Sequence, residues 1–296
     1  MFKGSVVALV TPFDDDDNID YAALERLIEF HVEKGSDGLV IAGTTGESAT
    51  LTRDEHAELI RRAAELARGR LPVIAGTGSN STAQTIDLSR AVADAAIDGY
   101  LIVVPYYNKP TQEGLYRHFT AIADAVDKPL VLYNVPGRTV ADLLPDTVGR
   151  LAEHERIVGI KEATGDMQRL ADIRERVAED FALLSGDDFT VLPFIRHGGH
   201  GVVTVSGNVV PGQMAGLCRL AAEDRIEAAD ELDGSLQPLN TALFLESNPI
   251  PVKWALNVMG LIGPGIRLPL TPFSAAYHTD MRAALATAGV ELKNEL

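Results

Sequence analysis

Cysteine is nearly absent from this sequence, and Cys218 is the single thiol among 296 residues. One thiol excludes an intramolecular disulfide, which fits a reducing compartment, so we expect a cytoplasmic protein. Cys218 lies in a segment of helical character, which favours core packing over reactivity. Long apolar runs are also lacking, and we expect neither a membrane helix, which needs about 20 apolar residues, nor a secretory leader.

Basic residues are the second deficit. The chain has 26 Lys and Arg against 42 Asp and Glu, a formal net charge of −16. A surface so negative repels phosphate backbones, which argues against a nucleic-acid partner.

Several signature motifs are missing as well. There is no Walker A sequence, no G-x-S-x-G elbow and no G-x-G-x-x-G fingerprint. The acidic segment 14–20 has Ile19 where an EF-hand loop requires glycine. His197 and His200 lie in a glycine-rich turn without the helical i, i+4 spacing or an evident third ligand, so we expect no metal and no bound cofactor.

What the sequence does contain is a series of short, β-branched runs with helical segments between them, a pattern typical of βα units. Eight such runs are found at residues 6–10, 38–42, 72–76, 100–104, 129–133, 157–161, 181–185 and 201–205. We predict a (β/α)₈ barrel over residues 1–224, followed by a C-terminal helical domain over residues 225–296. A doubly wound open sheet is the alternative, but Thr11-Pro12 follows the first run where that fold usually has a Gly-rich turn.

Lys161 ends the apolar run of the sixth predicted strand, where a buried strand normally carries Val or Ile. Burial disfavours the charged form of an amine, and a neutral amine is a nucleophile for carbonyl carbon. The sequence therefore indicates a Schiff-base lysine. The alternative is a side chain whose end reaches solvent at the strand terminus.

Other polar residues follow the predicted strands, at the end of a barrel where chemistry takes place. In the turn Gly43-Thr44-Thr45-Gly46-Glu47, backbone N–H groups that point into the site can bind an anion. The alternative is an ordinary polar turn. Tyr106 and Tyr107 follow the fourth strand and point to different sides of an extended chain, so one of them can enter the site. The alternative is that both tyrosines serve packing. The small residues 185–188 and 198–203 leave room for a compact ligand.

Alternation along the fifth and sixth strands predicts which side chains enter the barrel. Tyr133 shares a face with Val131 and Val135, so an inward face brings a phenol close to Lys161. We expect Lys161 to share its face with Ile157, and Glu162 to point the other way. Arg138, just beyond the fifth strand, suits bidentate binding of a carboxylate, with a surface salt bridge as the alternative.

Four segments in this order and spacing resemble the dihydrodipicolinate synthase family of pyruvate-dependent class I aldolases. The matching segments are 43–47, 133–139, 159–162 and 246–253. The resemblance implies a Schiff base between Lys161 and pyruvate, whose enamine attacks L-aspartate 4-semialdehyde. It implies that Thr44 and Thr45 bind the pyruvate carboxylate, that Arg138 binds the semialdehyde carboxylate, and that Gly186 and Val203 line the pocket. It also implies a proton relay of Thr45, Tyr133 and Tyr107, in which Tyr107 comes from the adjacent subunit. The assembly that the resemblance implies is a homotetramer, a dimer of dimers.

One position departs from relatives that are inhibited by lysine. These bind the inhibitor at a dimer interface through residues that match Ser48, Ala49, His56, Asn80 and Tyr106, together with a carboxylate where this chain has Gln84. An amide cannot pair the inhibitor's ammonium with a full charge. We therefore expect weak or absent inhibition by lysine.

Two other functions remain open from the residues. N-acetylneuraminate lyase and the 2-keto-3-deoxy sugar acid aldolases share the barrel lysine and a tyrosine. Arg138 favours the synthase over them, because sugars need hydroxyl contacts there. A non-catalytic barrel that senses a keto acid would have lost Lys161 or its relay, and both are present.

Overall fold

The computed structural model describes residues 2–293 and has eight parallel strands closed into a barrel, in sequence order with β8 paired to β1. The strands are β1 Gly4–Ala8, β2 Gly38–Ile41, β3 Val73–Gly76, β4 Gly99–Val103, β5 Leu130–Asn134, β6 Ile157–Glu162, β7 Ala182–Ser185 and β8 Gly201–Thr204. The predicted barrel is confirmed, and its closure excludes the doubly wound sheet. Each strand lies within two residues of its predicted bounds.

Helices connect the strands and continue after the last one. They are α1 Tyr21–Lys34, α2 Arg53–Ala67, α3 Thr82–Ala91, α4 Gln112–Ala125, α5 Pro136–Thr139, α6 Pro145–Ala152, α7 Met167–Arg174, α8 Val191–Arg196, α9 Pro211–Ala222, α10 Ile226–Ala242, α11 Ile250–Val258 and α12 His278–Thr287. Short 3₁₀ turns lie at 48–50, 188–190, 206–208 and 275–277. None of the helices within residues 2–293 combines the length and apolarity that crossing a bilayer requires.

Side-chain caps explain where the first two helices begin. Asp20 accepts a hydrogen bond from the Ala23 N–H at 2.9 Å and so starts α1. Thr52 and Glu55 form a reciprocal capping box at the start of α2. Each cap satisfies N–H groups that lack an intrahelical partner, which stabilises a helix by about 1 kcal/mol.

The barrel separates two apolar cores, as expected for strands that are buried on both faces. The inner core fills the barrel: Val6, Ala8, Val40, Ile74, Leu101, Val131, Tyr133, Val135, Leu184 and Val203. The outer core lies between the strands and the helices and includes Cys218. Burial raises the pKa of the Cys218 thiol to about 12, which agrees with a packing role.

Strand β6 breaks the simple alternation that the sequence suggested. Its pairing with β5 runs from Leu130 opposite Ile157 to Val131 opposite Gly159, so Val158 is an extra residue. Such a bulge shifts the faces of the strand on either side of it. Ile157 therefore packs in the outer core, and the prediction that it shares the face of Lys161 is wrong.

The helices after β8 pack against the barrel rather than standing apart. Helix α10 contacts α8 and α9, and α11 contacts the turn 206–208 that follows β8. Asn240 of α10 also accepts a hydrogen bond from the buried Ser206 hydroxyl at 2.6 Å. The division into domains at residue 224 stays a prediction.

Candidate active site

Lys161 lies near the C-terminal end of β6, opposite Tyr133 of β5 and Leu184 of β7. Its side chain is buried, with the residue only 6% exposed, so it does not reach out into solvent. The Lys161 Nζ atom lies 4.1 Å from the centroid of the Tyr133 ring. The barrel thus holds an amine and a phenol together in a mostly apolar interior.

The predicted inward face of β5 is confirmed. Val131, Tyr133 and Val135 all belong to the inner core, and Tyr133 is 6% exposed. Val203 of β8 lies in the same core. The aliphatic side chains around Lys161 and Tyr133 keep water away, which strengthens electrostatic interactions with any bound ligand.

Gly186 lies so close to Lys161 and Ala163 that a side chain at this position would have to displace them. A Cβ at this position would lie 2.9 Å from Lys161 Cε and 2.6 Å from Ala163 Cβ. The Gly186 N–H donates to the Glu162 carbonyl oxygen at 2.7 Å, which fixes the loop after β7 against β6. The absence of a side chain at residue 186 therefore leaves the space that the Lys161 side chain occupies.

Glu162 points away from the barrel interior, as the sequence predicted. Asn134 Nδ2 donates to Glu162 Oε2 at 3.0 Å, and the Thr164 N–H donates to Oε1 at 2.8 Å. Burial raises the pKa of the Glu162 carboxyl, and these hydrogen bonds oppose the rise. The Glu162–Asn134 contact ties β5 to β6 directly behind Tyr133 and Lys161.

The turn 43–47 follows β2 and has the backbone of an anion site. The Gly46 N–H and the Glu47 N–H bond back to Gly43 and Thr44 carbonyl oxygens at 3.1 Å each. Within residues 2–293, the N–H groups of Thr44 and Thr45 have no hydrogen-bond acceptor. Backbone N–H groups gathered in a turn can bind a carboxylate.

Glu47 anchors this turn to the C-terminal helices. Lys253 Nζ of α11 donates to Glu47 Oε1, and both side chains are buried, 4% and 1% exposed. The Arg267 N–H donates to Glu47 Oε2 at 3.2 Å. Lys253 Nζ also lies 4.4 Å from the centroid of the Phe13 ring. Burial lowers the pKa of the Lys253 amine, and Glu47 opposes that shift.

Asn248 contacts two of the candidate site residues. Its Nδ2 donates to Thr45 Oγ1 at 2.9 Å, and its backbone carbonyl oxygen accepts from the Arg138 guanidinium at 3.4 Å. Arg138 itself is exposed on the short helix α5. Our sequence reasoning did not single out Asn248 or Lys253. The signal available for both was their place in segment 246–253, which carries part of the family resemblance.

Tyr106 and Tyr107 differ in exposure. Tyr106 is 41% exposed and Tyr107 is 88% exposed, and neither enters the inner core. Tyr107 also has a φ angle of 75°. Positive φ is rare for a bulky residue and signals backbone strain, which tends to occur at functional positions.

Residues 198–200 do not belong to this site. They precede β8 and therefore lie at the opposite end of the barrel, so the prediction that they help to leave room for a compact ligand is wrong. The His200 carbonyl oxygen accepts from the Gly4 N–H at 2.9 Å, and its Nδ1 accepts from the Leu183 N–H at 3.0 Å. These contacts hold the start of β8 beside β1 and β7.

The residues matched to an inhibitor site lie near the ends of β2, β3 and β4. Ser48 and Ala49 are in the 3₁₀ turn 48–50. His56 Nε2 contacts the Gly76 carbonyl oxygen at 2.7 Å, and burial lowers the pKa of His56. The Asn80 carbonyl oxygen accepts from Asn108 Nδ2 at 2.8 Å, and Gln84 Oε1 accepts from the Ser79 hydroxyl at 3.0 Å. Their role as a binding site stays a prediction.

Comparison with known proteins decides the family. The model of the Dihydrodipicolinate synthetase family matches residues 1–288. The chain belongs to the dihydrodipicolinate synthetase family. A family member from Thiobacillus denitrificans, named 4-hydroxy-tetrahydrodipicolinate synthase, is 57% identical over 97% of both chains.

Solved structures of the dihydrodipicolinate synthetase family also match over nearly the whole length. The crystal structure of dihydrodipicolinate synthase from Aquifex aeolicus has a TM-score of 0.97 and 45% identity, and the match covers 99% of this chain and 100% of that one. The chloride-inhibited enzyme from Acinetobacter baumannii, complexed with pyruvate, has a TM-score of 0.96 and 48% identity, covering 98% and 100%.

Proposed function

We propose that this chain is a 4-hydroxy-tetrahydrodipicolinate synthase, a lyase that condenses pyruvate with L-aspartate 4-semialdehyde in diaminopimelate and lysine biosynthesis. The observation that carries the proposal is the buried amine of Lys161 beside the Tyr133 ring at the C-terminal end of the barrel. Relatives of that name at 57% and 53% identity support this substrate pair over sugar acids. The single Cys218 supports a cytoplasmic location.

The first half of the reaction activates pyruvate. The Lys161 amine attacks the keto carbon, water leaves, and an imine forms between enzyme and substrate. The pyruvate carboxylate rests on the N–H groups of Thr44 and Thr45. Loss of a methyl proton then gives an enamine, and the relay carries that proton away through Tyr133.

The second half forms a carbon–carbon bond and releases the enzyme. The enamine carbon attacks the aldehyde carbon of the semialdehyde, whose oxygen takes up a proton. The substrate amine then attacks the imine carbon, which closes the ring and displaces the Lys161 amine. Arg138 binds the carboxylate of the semialdehyde bidentately, which fixes the aldehyde over the enamine.

The third relay residue is Tyr107, which we propose enters the site of an adjacent subunit. Its 88% exposure and strained φ of 75° support a role outside its own chain. We therefore propose a homotetramer made of two dimers, with the relay completed in each dimer. A solved relative at 41% identity is described as a monomeric variant, so sedimentation analysis of this chain is needed to measure its assembly.

Two measurements on the wild-type protein test the proposed function. Borohydride reduction in the presence of pyruvate, followed by peptide mass mapping, is expected to give one adduct on Lys161. Ring formation is then followed after aspartate semialdehyde is added. A pyruvate adduct without ring formation would instead indicate a sugar acid aldolase, and the absence of any adduct would indicate a passive keto-acid binder.

Lysine is expected to inhibit this enzyme weakly or not at all. Gln84 offers an amide where inhibited relatives offer a carboxylate, and its Oε1 already accepts from the Ser79 hydroxyl. A charge-assisted contact is roughly twice as strong as a neutral one. Steady-state rates of ring formation against L-lysine concentration test this, with Gln84→Glu as the variant expected to gain sensitivity. Micromolar inhibition of the wild type would contradict the prediction.

A further inference from the structure

Asn134, the last residue of β5, has a fully buried side chain with hydrogen bonds at both ends of its amide. The Nδ2 group donates to two carboxylates, Asp142 Oδ1 at 2.9 Å and Glu162 Oε2 at 3.0 Å. The Oδ1 atom accepts from the Leu143 N–H at 2.9 Å. Asn134 is 0% exposed, and a fully satisfied buried network is rigid. The side chain therefore joins β6 on one side to residues 142 and 143 on the other.

The contacts to residues 142 and 143 enclose the short helix α5. The chain leaves Asn134, forms α5 over Pro136–Thr139 and returns at Asp142 to the Asn134 side chain. Helix α5 carries Arg138, which is exposed and whose contact with the Asn248 carbonyl oxygen is 3.4 Å long. Because a contact of that length is weak, the position of the guanidinium depends on the backbone of α5. Asn134 holds that backbone at both ends.

Asp142 is itself held from a second direction. Arg169 of α7 donates to Asp142 Oδ1 at 2.8 Å and to Oδ2 at 2.7 Å, and it also donates to the Leu143 carbonyl oxygen at 3.2 Å. The hydrogen bonds from Arg169 lower the pKa of the Asp142 carboxyl, which keeps it ionised. Hydrogen bonds to an ionised acceptor are roughly twice as strong as neutral ones. Asp142 therefore offers the Asn134 amide a fixed, charged acceptor.

The backbone between α5 and Asp142 has a conformation that its sequence does not favour. Val140 has a φ angle of 64° and is 68% exposed, so its side chain gains little from packing. Positive φ is a genuine outlier for a β-branched residue and persists only where the surrounding structure enforces it. The contacts that enforce it are the hydrogen bond from the Val140 N–H to the Pro136 carbonyl oxygen, at 2.9 Å, and the bonds of residues 142 and 143 to Asn134. Without Asn134, this turn is expected to relax.

We propose that Asn134 is a positioning residue for the second substrate, because it fixes the turn that carries Arg138 and so the place where the semialdehyde carboxylate binds. This inference rests on the proposed function, in which Arg138 binds that carboxylate. Asn134 itself touches no substrate in this account. Among the described residues, the hydrogen-bond partners of its side chain include neither Lys161 nor the turn 43–47, which bind pyruvate. Loss of Asn134 is therefore expected to impair binding of the semialdehyde more than binding of pyruvate.

Asn134→Ala tests this difference between the two substrates. In the ring-formation assay, KM for aspartate semialdehyde is expected to rise roughly 10- to 30-fold, while KM for pyruvate changes less than about threefold. A purely structural role would lower the urea midpoint and the amount of active enzyme without separating the two constants. A KM for the semialdehyde equal to that of the wild type, or an equal rise in both constants, would overturn the inference.

Asp142→Ala keeps the inference testable if Asn134→Ala does not fold. This variant removes one link between Asn134 and the turn but leaves the contact of Asn134 with Glu162 in place. The Asp142 side chain is 34% exposed, so the substitution leaves both apolar cores unchanged. KM for the semialdehyde is expected to rise about 3- to 10-fold, with KM for pyruvate near that of the wild type. An unchanged KM for the semialdehyde in this variant would also overturn the inference.

Coupling to Arg138 separates positioning from a general structural effect. In an Arg138→Ala background, Asn134→Ala is expected to change kcat/KM for the semialdehyde less than about twofold, because the group that it positions is gone. Losses that simply add would overturn the inference. The matched control is Asn257→Ala, which removes another buried amide, one that donates to the Ile262 carbonyl oxygen at 2.9 Å. This control is expected to lower the urea midpoint, with KM for the semialdehyde near that of the wild type.

Borohydride trapping distinguishes failure of this inference from failure of the proposed function. Wild type and Asn134→Ala are both expected to give the pyruvate adduct on Lys161, with only the variant needing more semialdehyde for ring formation. A wild type without the adduct would overturn the proposed function and this inference with it. A wild type that forms both adduct and ring, beside an Asn134→Ala variant of equal kcat/KM for the semialdehyde, would overturn the inference alone.

Discussion

Lys161→Met is expected to lower kcat for ring formation at least about 1,000-fold, since losses near 10⁶ follow removal of a covalent nucleophile elsewhere. Methionine has an unbranched apolar side chain of similar length, and residue 161 is 6% exposed, so the substitution preserves packing inside the barrel. What it lacks is the nitrogen that forms the imine. Lys161→Arg is expected to be equally inactive, because a guanidinium stays protonated and is no nucleophile.

The measurement is ring formation in a coupled assay, paired with borohydride trapping of pyruvate. Neither variant at residue 161 should carry an adduct. Lys34→Met is the matched control, because Lys34 is exposed in the last turn of α1, and it should keep both the adduct and the rate. Turnover that survives either substitution at residue 161, or a pyruvate adduct on another lysine, would contradict the Schiff-base mechanism.

Lys253→Met is expected to lower the free energy of unfolding by about 3–5 kcal/mol, the usual effect of removing one partner from a buried ion pair. The carboxylate of Glu47, 1% exposed, would be left without its ammonium partner. Burial of an unpaired charge is costly because the lost hydration is not replaced. The turn 43–47 depends on Glu47, so activity is expected to fall together with stability.

Urea denaturation followed by circular dichroism, at a fixed protein concentration, measures this effect. The double variant Glu47→Gln/Lys253→Met is expected to recover most of the lost stability, because it leaves a neutral amide in place of a buried charge. Arg53→Met is the control, since its pair with Asp87 is more than half exposed and contributes at most about 1 kcal/mol. A Lys253→Met variant as stable as Arg53→Met would contradict a strongly coupled buried pair.

Local signals in the sequence were sufficient for most of the fold. Parallel strands that are buried on both faces have short β-branched runs in their sequences. Each of the eight strands lies within two residues of the bounds that its run predicts. The caps of α1 and α2 are equally local, because a capping side chain and the N–H group that it satisfies lie three positions apart.

The errors arose where a local pattern met a constraint from a neighbouring strand. Alternation along β6 predicted that Ile157 faces inward, but the extra residue Val158 in the pairing with β5 places it in the outer core. The glycines before β8 resemble those that follow a strand, so the sequence pattern predicts the wrong end of the barrel for residues 198–200. The composition of a glycine-rich turn does not indicate whether the turn precedes or follows the neighbouring strand.

The sequence alone determined that this chain forms a barrel of alternating strands and helices, and which strand ends carry Lys161, Tyr133 and the turn 43–47. The tertiary structure alone decided that Asn248 meets Thr45 and that Lys253 meets Glu47, across 203 and 206 positions of the chain. The physical reason is that secondary structure follows from interactions between near neighbours, whereas the pairing of distant polar groups depends on how helices and strands pack. A buried amide or amine does not identify its partner until the fold brings the two together.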